Sequence, residues 1–206
     1  MRTITKAMQF IEIQAQYFNL DTKQIYNQTK SLLTMYRNVV WSVKNRANNM
    51  KAEISGTYGM KLKTALTYLS DFAPEKKKAD FEATVSSLFQ SQWLITIIDL
   101  ALKYVCDYPL YGEIYAKILL LRFMDEIKRN DNAVSEMVSL ERSTYYERKK
   151  EAILLLGVSL WGFVIPNTLE TYRRVSYLSI SESDFFAMVS EEQAKRTMKT
   201  DIVTPT

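Results

Sequence analysis

Residues 142–150, RSTYYERKK, combine the side chains that proteins use to bind nucleic acid. Two hydroxyl groups come after Arg142, phenols and a carboxylate follow within one helical turn, and three cations come last. Hydroxyl, phenol and carboxylate groups can hydrogen-bond base edges, while guanidinium and ammonium groups bind phosphate. The candidate DNA-binding residues are Arg142, Ser143, Thr144, Tyr146, Glu147, Arg148, Lys149 and Lys150.

The surrounding segment, residues 133–156, predicts the elements that position these side chains. A short helix, a tight polar corner and a second helix beginning at Arg142 follow one another in AVSEMVSLERSTYYERKKEAILLL. This order is typical of a helix-turn-helix, in which the second helix lies in the major groove and the first holds it at the right angle. Helix-corner-helix patterns are also common in all-α proteins, so an ordinary surface helix with mixed charges is the alternative.

The helical period divides the second helix into two faces. At about 100° per residue, Tyr145, Ala152 and Leu156 share one side, with Ile153 at its edge, and form the predicted buried stripe. The predicted DNA-facing side carries Ser143, Tyr146, Glu147 and Lys150, with Arg142 at the N-terminal tip. The first turns are expected to contact bases, and the lysines further along are expected to contact phosphate.

Residues 115–165 resemble the C-terminal part of the phage-encoded ArpU/RinA-type late transcription regulators, a segment related to the fourth region of sigma factors. The resemblance lies in LLRFMDEIK and in SEMVSLERSTYYERKKEAILLLGVSLWGFVIP. Proteins of this family often carry a small polar capping residue before the arginine, whereas this chain has Glu141, a weaker N-cap. The resemblance implies a regulator that binds double-stranded promoter DNA in a bacterial host cytoplasm and helps the host RNA polymerase start there.

The composition predicts an all-α fold. The chain has 206 residues, of which 47% are hydrophobic and 12% aromatic, so a compact core is expected. Only 5 glycines and 4 prolines interrupt long stretches with helical periodicity. No β-hairpin signal accompanies them.

Several enzyme classes are excluded by residue types. Histidine is absent and Cys106 is the single cysteine, which removes histidine-based acid–base catalysis, Cys–His nucleophiles and the common zinc spacings. There is no glycine-rich phosphate loop, and the adjacent carboxylates Asp125 and Glu126 diverge around a helix. We therefore predict no catalytic residues, no metal and no cofactor. Cys106 itself, among apolar neighbours, is predicted to be buried.

The N-terminal sequence and the short apolar runs predict a soluble cytoplasmic protein. MRTITKAMQF lacks an apolar secretion core, and the apolar run from Leu94 to Ile98 is closed by Asp99.

The net charge is only +4, but residues 1–63 carry ten Lys and Arg residues against Glu12, Asp21 and Glu53. Such asymmetry favours an anionic partner for this part of the chain.

A long helix organises that basic part, from Tyr26 to a break at Gly56. Its seam is predicted to hold Tyr26, Thr29, Leu33, Tyr36, Val40, Val43, Ala47, Met50 and Ile54, widened by Ile25, Leu32 and Val39. The seam could pair with a second copy of the chain or pack within the molecule, and polar Thr29 slightly favours the latter. The opposite face is a basic ridge, Lys30, Arg37, Lys44 and Lys51, which is either simply solvated or follows a phosphate backbone.

Further helices are predicted at residues 79–105 and 112–128, the second supporting the helix-turn-helix. Lys76, Lys77 and Lys78 form a surface corner in front of the first of these helices. Trp161 and Phe163 are predicted to close a small core, with an exposed docking surface as the alternative. The predicted organisation is a helical assembly module at 1–110, a helix-turn-helix DNA-binding domain at 111–166, and short helices with a frayed tail at 167–206.

The sequence therefore favours a sequence-specific DNA-binding transcription regulator that assembles as a homo-oligomer. The resemblance implies that it is an activator of phage late genes that acts with host RNA polymerase. The competing interpretation is a helical adaptor or inhibitor that uses the long basic helix and does not bind DNA. A sigma factor proper is a weaker third hypothesis, because no stretch resembles the promoter-melting and core-binding regions.

Overall fold

The computed structural model describes residues 4–47, 92–175, 184, 187–189 and 191. Every regular element in these ranges is helical, so the predicted all-α class is confirmed for them. The helices are α1 (Lys6–Tyr17), α2 (Thr22–Ala47), α3 (Gln92–Cys106), α4 (Gly112–Leu119), α5 (Asp131–Met137), α6 (Arg142–Val158) and α7 (Ile165–Val175), with π-helical segments at Leu120–Met124 and Ser159–Val164.

Two compact units divide the chain. The first comprises residues 1–51 and 73–164 and contains α1 to α6, so the N-terminal helices and the predicted helix-turn-helix belong to one unit. The second comprises residues 52–72 and 165–206 and contains α7. The described residues do not include the first part of the helix predicted at 79–105, which precedes residue 92. They also do not include Lys76, Lys77 and Lys78.

Side chains cap the N-termini of three helices of the first unit. The Thr5 hydroxyl accepts from the backbone N–H of residue 8 at 3.1 Å, and the Asp21 carboxylate accepts from that of residue 24 at 2.6 Å. The Asn130 side chain accepts from the N–H of residue 133 at 2.8 Å. Each bond satisfies an amide that a helix start leaves without a partner, which explains why α1, α2 and α5 begin where they do.

Helix α6 is the central element of the first unit. It contacts α1, α2, α3, α4 and α5, and residues 151–160 are buried without exception. The sequence EAILLLGVSL explains this, because a helix that is apolar all round must be covered all round. Helix α2 comes closest at Gly157, where a Cβ atom would lie 2.5 Å from the Thr29 hydroxyl oxygen. Glycine permits that contact because it has no side chain.

The described part of the α2 seam is used inside the molecule. Ile25, Thr29, Leu32, Leu33 and Tyr36 are buried, and α2 packs against α6. This is the outcome expected for intramolecular packing. Val40 is half-buried, while Met50 and Ile54 lie outside the described residues.

Two local features differ from the sequence predictions. The support helix ends at Met124 rather than at residue 128, because its last turn is π-helical and the chain becomes extended at Asp125. The Arg37 guanidinium closes this end by donating to the carbonyl oxygens of Arg122 and Asp125 at 2.8 and 2.6 Å. Cys106, predicted to be buried, is exposed, because it is the last residue of α3 and follows the buried Val105.

Helix α6 passes through Gly157 and ends at Val158. A π-helical segment follows it directly, and Pro166 begins the next turn. Proline lacks an N–H group and crowds the preceding turn, which accounts for the wider helical turn in front of it. Within that segment the Phe163 ring lies 4.5 Å from the Phe18 ring and stacks on Tyr104 at 5.6 Å, so this aromatic residue packs against α1 and α3 as predicted for a core residue.

One helical stretch, Arg142–Thr171, is long and apolar enough to cross a membrane by length and composition alone. Inside the protein, 67% of its apolar window is buried. The core helix of a soluble protein has the same length and composition, and α6 is packed against other helices as a core helix is. This is consistent with a soluble protein, and the cytoplasmic location stays a prediction.

Candidate nucleic-acid interface

Helices α5 and α6 are joined by a tight corner at residues 138–141. The N–H groups of Ser139 and Leu140 donate to the carbonyl oxygens of Glu136 and Ser135, each at 3.0 Å, which is the paired bonding that ends many helices. Ser139 takes a φ of 54°, in the left-handed region. The chain therefore turns sharply after α5 and enters α6 at Arg142, where the sequence predicts the second helix to begin.

A small core lies beneath this corner. Ile118 of α4, Val134 of α5 and Tyr145 of α6 are fully buried against one another. Half-buried apolar side chains surround them: Ile114, Leu121, Val138 and Leu140. These contacts fix α6 on α4 and α5 before any ligand binds, as a rigid presenting surface requires.

The burial in the first half of α6 follows the predicted stripe. Tyr145 is the one buried residue of the first half of α6, as the predicted phase requires, whereas Ala152, Ile153 and Leu156 lie in a stretch that is buried on every side and do not test it. The opposite side is exposed at Arg142, Ser143, Tyr146 and Lys150, while Thr144, Glu147, Arg148 and Lys149 are half-buried. The predicted site residues thus divide into an outer group of four and an inner group of four.

Lys149, in the inner group, is part of a cluster centred on Asp131, the first residue of α5. Its ammonium lies 2.9 Å from the Asp131 Oδ2 atom. The other carboxylate oxygen, Oδ1, accepts from the Tyr145 hydroxyl and from the Arg122 guanidinium, both at 2.8 Å. We call this the Asp131 cluster. It joins the π-helical segment, α5 and α6 through one carboxylate.

Arg148 belongs to a second cluster, centred on the buried Glu151, which we call the Glu151 cluster. The guanidinium donates to Glu151 at 2.6 Å and stacks on the Tyr111 ring at 3.8 Å. The same carboxylate accepts from the Tyr115 hydroxyl at 2.8 Å and from the Thr5 hydroxyl. Glu151 is 1% exposed, and its three donors are what make a buried carboxylate tolerable.

Both clusters shift the ionisation of their members. Burial favours the neutral form of Asp131, but the bonds from Lys149, Tyr145 and Arg122 outweigh it and hold the pKa of that carboxyl below its usual range. Burial and the neighbouring Asp131 charge raise the pKa of Tyr145. Burial and Glu151 raise the pKa of Tyr115 in the same way. Near neutral pH, Asp131 is therefore ionised and both tyrosines are protonated donors.

The N-terminus of α6 differs from those of the other capped helices. Glu141 occupies the cap position in an extended conformation and its side chain makes no capping bond. The weak cap expected from the sequence is therefore present. The amides of the first turn remain available to an acceptor outside the chain, and a phosphate oxygen is one such acceptor.

Asp131, Glu151 and Arg122 were not among the predicted site residues. Their roles depend on partners far along the chain, such as Thr5 and Glu151, which are 146 positions apart. A local signal did exist for Glu151, because it follows three cations and precedes the buried AILLL run. A carboxylate on the buried side of a helix requires donors, and this could have indicated the cluster.

Comparisons with protein-family models, with curated proteins and with solved structures found no match to this chain. The resemblance of residues 115–165 to phage late regulators therefore stays a prediction from the sequence. Among the described residues, no group of acidic or cysteine side chains is arranged to hold a metal ion. The exposed side of α6 is therefore the candidate binding surface.

Proposed function

We propose that the protein is a sequence-specific DNA-binding transcription regulator that places the first turns of α6 in the major groove. One observation carries the proposal: Arg142, Ser143, Tyr146 and Lys150 are exposed together, while the intervening Tyr145 is fully buried. A helix held by a buried side chain and presenting donors and cations outward is what groove recognition requires. Tyr146 and Ser143 contact base edges in this proposal.

Phosphate contacts come from both ends of the exposed side. Arg142 and Lys150 have no ion-pair partner among the described residues, so their charge is available to the DNA backbone. The amides at the start of α6 supply further donors in the field of the helix dipole. Such contacts fix the register of the protein on DNA without reading its sequence.

The resemblance noted in the sequence supports the finer part of the proposal. The regulator acts at a late promoter of a phage or prophage and helps the host RNA polymerase to start there. One helix-turn-helix reads too few base pairs for genomic specificity, so two copies bind two half-sites separated by whole helical turns. Footprinting that protects a single half-site, with a strict monomer in light scattering, would contradict this assembly.

Binding to the DNA flanking its own gene, measured across salt concentrations, tests the proposal. We expect specific binding whose log affinity changes by more than about two units per log unit of salt, the slope of about three phosphate contacts. Tyr146→Ala should lower the ratio of specific to non-specific affinity by about 1–3 kcal/mol. Lys150→Ala should weaken binding to all DNA and reduce the slope by about one. Lys103→Ala, an exposed lysine on α3, is the matched control and should change neither quantity.

A helical interaction protein without DNA binding is the second candidate, and α1 favours it. Phe10, Ile13 and Tyr17 are 53%, 59% and 80% exposed, at spacings that put them on one side of the helix. A DNA-binding assay with no salt slope, together with loss of a protein complex on Phe10→Ser, would favour this candidate over the first.

A further inference from the structure

The Asp131 cluster holds an excess of positive charge around one carboxylate. Asp131 faces the Arg122 guanidinium and the Lys149 ammonium at 2.8 and 2.9 Å, and the Tyr145 hydroxyl gives a third bond. The side chains of Lys149 and Asp131 are only 16% and 23% exposed. An ion pair of this kind is less screened by solvent and salt than a fully exposed one. The Lys149 charge is thus turned toward α5, away from the surface where Lys150 lies.

Lys149 also contacts the ring that the proposed function assigns to base contact. Its ammonium lies 4.7 Å from the centroid of the Tyr146 ring, and the Tyr145 ring meets the Tyr146 ring edge-on at 5.5 Å. Cation–π and edge-to-face contacts of these lengths are attractive and restrict the ring. Two residues bound to Asp131 therefore hold Tyr146 in place, although Asp131 itself does not touch Tyr146.

We infer that Asp131 is a specificity-determining residue that acts through Lys149 and Tyr145. It positions Tyr146 for base contact, and it keeps the Lys149 ammonium off the phosphate backbone. The first effect strengthens binding to the correct sequence, and the second lowers the affinity for all other sequences. This inference is based on the proposed function, and it changes the role that the sequence predicts for Lys149 from phosphate contact to positioning.

Removing the carboxylate charge has two consequences on this geometry. Arg122 and Lys149 are left as like charges with one neutral partner between them, so the flexible lysine moves outward. The Tyr146 ring then loses the cation above it, and the ammonium becomes available to phosphate. Asp131→Asn should therefore raise non-specific affinity while it lowers discrimination. A general loss of folded protein would instead weaken all binding.

Asp131→Asn, compared with Glu136→Gln, tests the inference first without DNA. Glu136 is an exposed carboxylate on α5, so its substitution removes the same charge without touching the Asp131 cluster. Amide hydrogen exchange of residues 145–149, whose N–H groups bond within the first turns of α6, should be faster in Asp131→Asn, relative to residues 152–156, and unchanged in Glu136→Gln. Equal exchange in both variants would overturn the positioning role, whatever the DNA measurements show.

DNA binding across salt then tests the second part. For Asp131→Asn we expect the ratio of specific to non-specific affinity to fall by at least about fivefold, the lower end of what one base contact is worth. Non-specific affinity should rise, with a salt slope steeper by about one. Glu136→Gln should leave the ratio unchanged. An equal loss of specificity in the two variants would overturn the inference.

Lys149→Gln is the second variant, because it leaves Asp131 with two of its three donors and is expected to fold. The inference requires that it lower specificity while leaving the salt slope unchanged. A slope flatter by about one would show that Lys149 contacts phosphate and would overturn the inference. Wild-type protein that binds all DNA equally would instead overturn the proposed function, and the exchange experiment would still decide whether Asp131 positions α6.

Discussion

The two halves of α6 differ in how much of the helix they expose. In residues 142–150 only Tyr145 is buried, whereas residues 151–158 are buried on every side. The second half runs through the middle of the first unit, surrounded by other helices, and the first half projects toward solvent with α5 beneath it. One continuous helix therefore serves as a core element at one end and as a presented surface at the other.

Glu151 and Asp131 lie close to the boundary between these halves, and they differ in exposure as the halves do. Glu151 is 1% exposed and takes its donors from α4, α6 and the residue before α1. Asp131 is 23% exposed and takes its donors from α6 and the π-helical segment before α5. The Glu151 cluster links elements inside the core, whereas the Asp131 cluster holds side chains of the exposed half of α6. Cations in one helical run can thus serve two different purposes.

Substitutions of the adjacent Tyr145 and Tyr146 should give the largest difference in stability between the buried and the exposed side of α6. Tyr145→Ala should cost about 3–5 kcal/mol in the free energy of unfolding, because a fully buried aromatic side chain leaves a cavity. Tyr146→Ala, at 37% exposure, should cost less than about 1 kcal/mol, as is usual for surface positions. Urea unfolding followed by circular dichroism measures both.

Tyr145→Phe is the matched control for this pair. It keeps the ring and removes only the hydroxyl that bonds Asp131, so we expect a loss of about 1–2 kcal/mol. Similar stabilities for Tyr145→Ala and Tyr146→Ala would mean that the helix is rotated about its axis from the orientation described above, and the exposed side would have to be reassigned.

Glu151→Ala should give the next largest effect. It leaves Arg148, Tyr115 and Thr5 without their common acceptor, and breaking a buried ion pair in this way costs about 3 kcal/mol or more. Glu151→Gln keeps the shape and one acceptor oxygen, so its loss should be smaller. A loss below about 1 kcal/mol for Glu151→Ala would show that solvent reaches this cluster and that the second half of α6 is less enclosed than its burial implies.

Gly157→Ala tests how closely the core half of α6 is packed. The new Cβ would lie 2.5 Å from the Thr29 hydroxyl oxygen and 3.3 Å from the Ile25 carbonyl oxygen. Overpacking of this kind costs about 1–3 kcal/mol, against a gain of about 1 kcal/mol from replacing glycine inside a helix. We therefore expect a net loss of about 1 kcal/mol in thermal or urea unfolding.

Thr29→Ala should relieve that loss in the double variant, because it removes the hydroxyl that the new methyl group meets. A double-mutant cycle measures this coupling, and strictly additive losses would contradict a direct contact between α2 and α6 at this point. Unchanged stability of the single variant Gly157→Ala would also contradict a direct contact between α2 and α6 at this point.

The order and phase of the elements around the corner could be predicted from the sequence, because they depend on neighbouring residues. The stripe that contains Tyr145 and Leu156 follows directly from the helical period. The start of α6 at Arg142 follows from the polar corner and the apolar run after it. The all-α class follows from the scarcity of glycine and proline.

Features that depend on distant contacts could not be predicted. The sequence shows Arg148 and Lys149 as two cations in a surface run, and only the fold brings Glu151 with Tyr111 to one and Asp131 to the other. Burial of Cys106 was predicted from its apolar neighbours and was wrong, since a residue at the last position of a helix can face solvent beside buried ones. Side-chain pairing between helices has no local period to reveal it.

The smallest expected effect concerns the corner that joins the presented half of α6 to α5. Ser139 has a φ of 54°, which a non-glycine residue adopts only at a cost. Ser139→Gly removes that cost but gives the unfolded chain more freedom, so we expect a net gain of about 0.5 kcal/mol. Asn19→Gly is the matched control, because Asn19 has the same φ after α1 and asparagine tolerates it better. Its gain should be smaller. Both substitutions should leave DNA discrimination unchanged if the Asp131 cluster, rather than the corner, orients the exposed side of α6. A loss of stability in Ser139→Gly would contradict the cost assigned to its φ. A change of specificity with unchanged stability would show that the Ser139 side chain contributes to the interface itself.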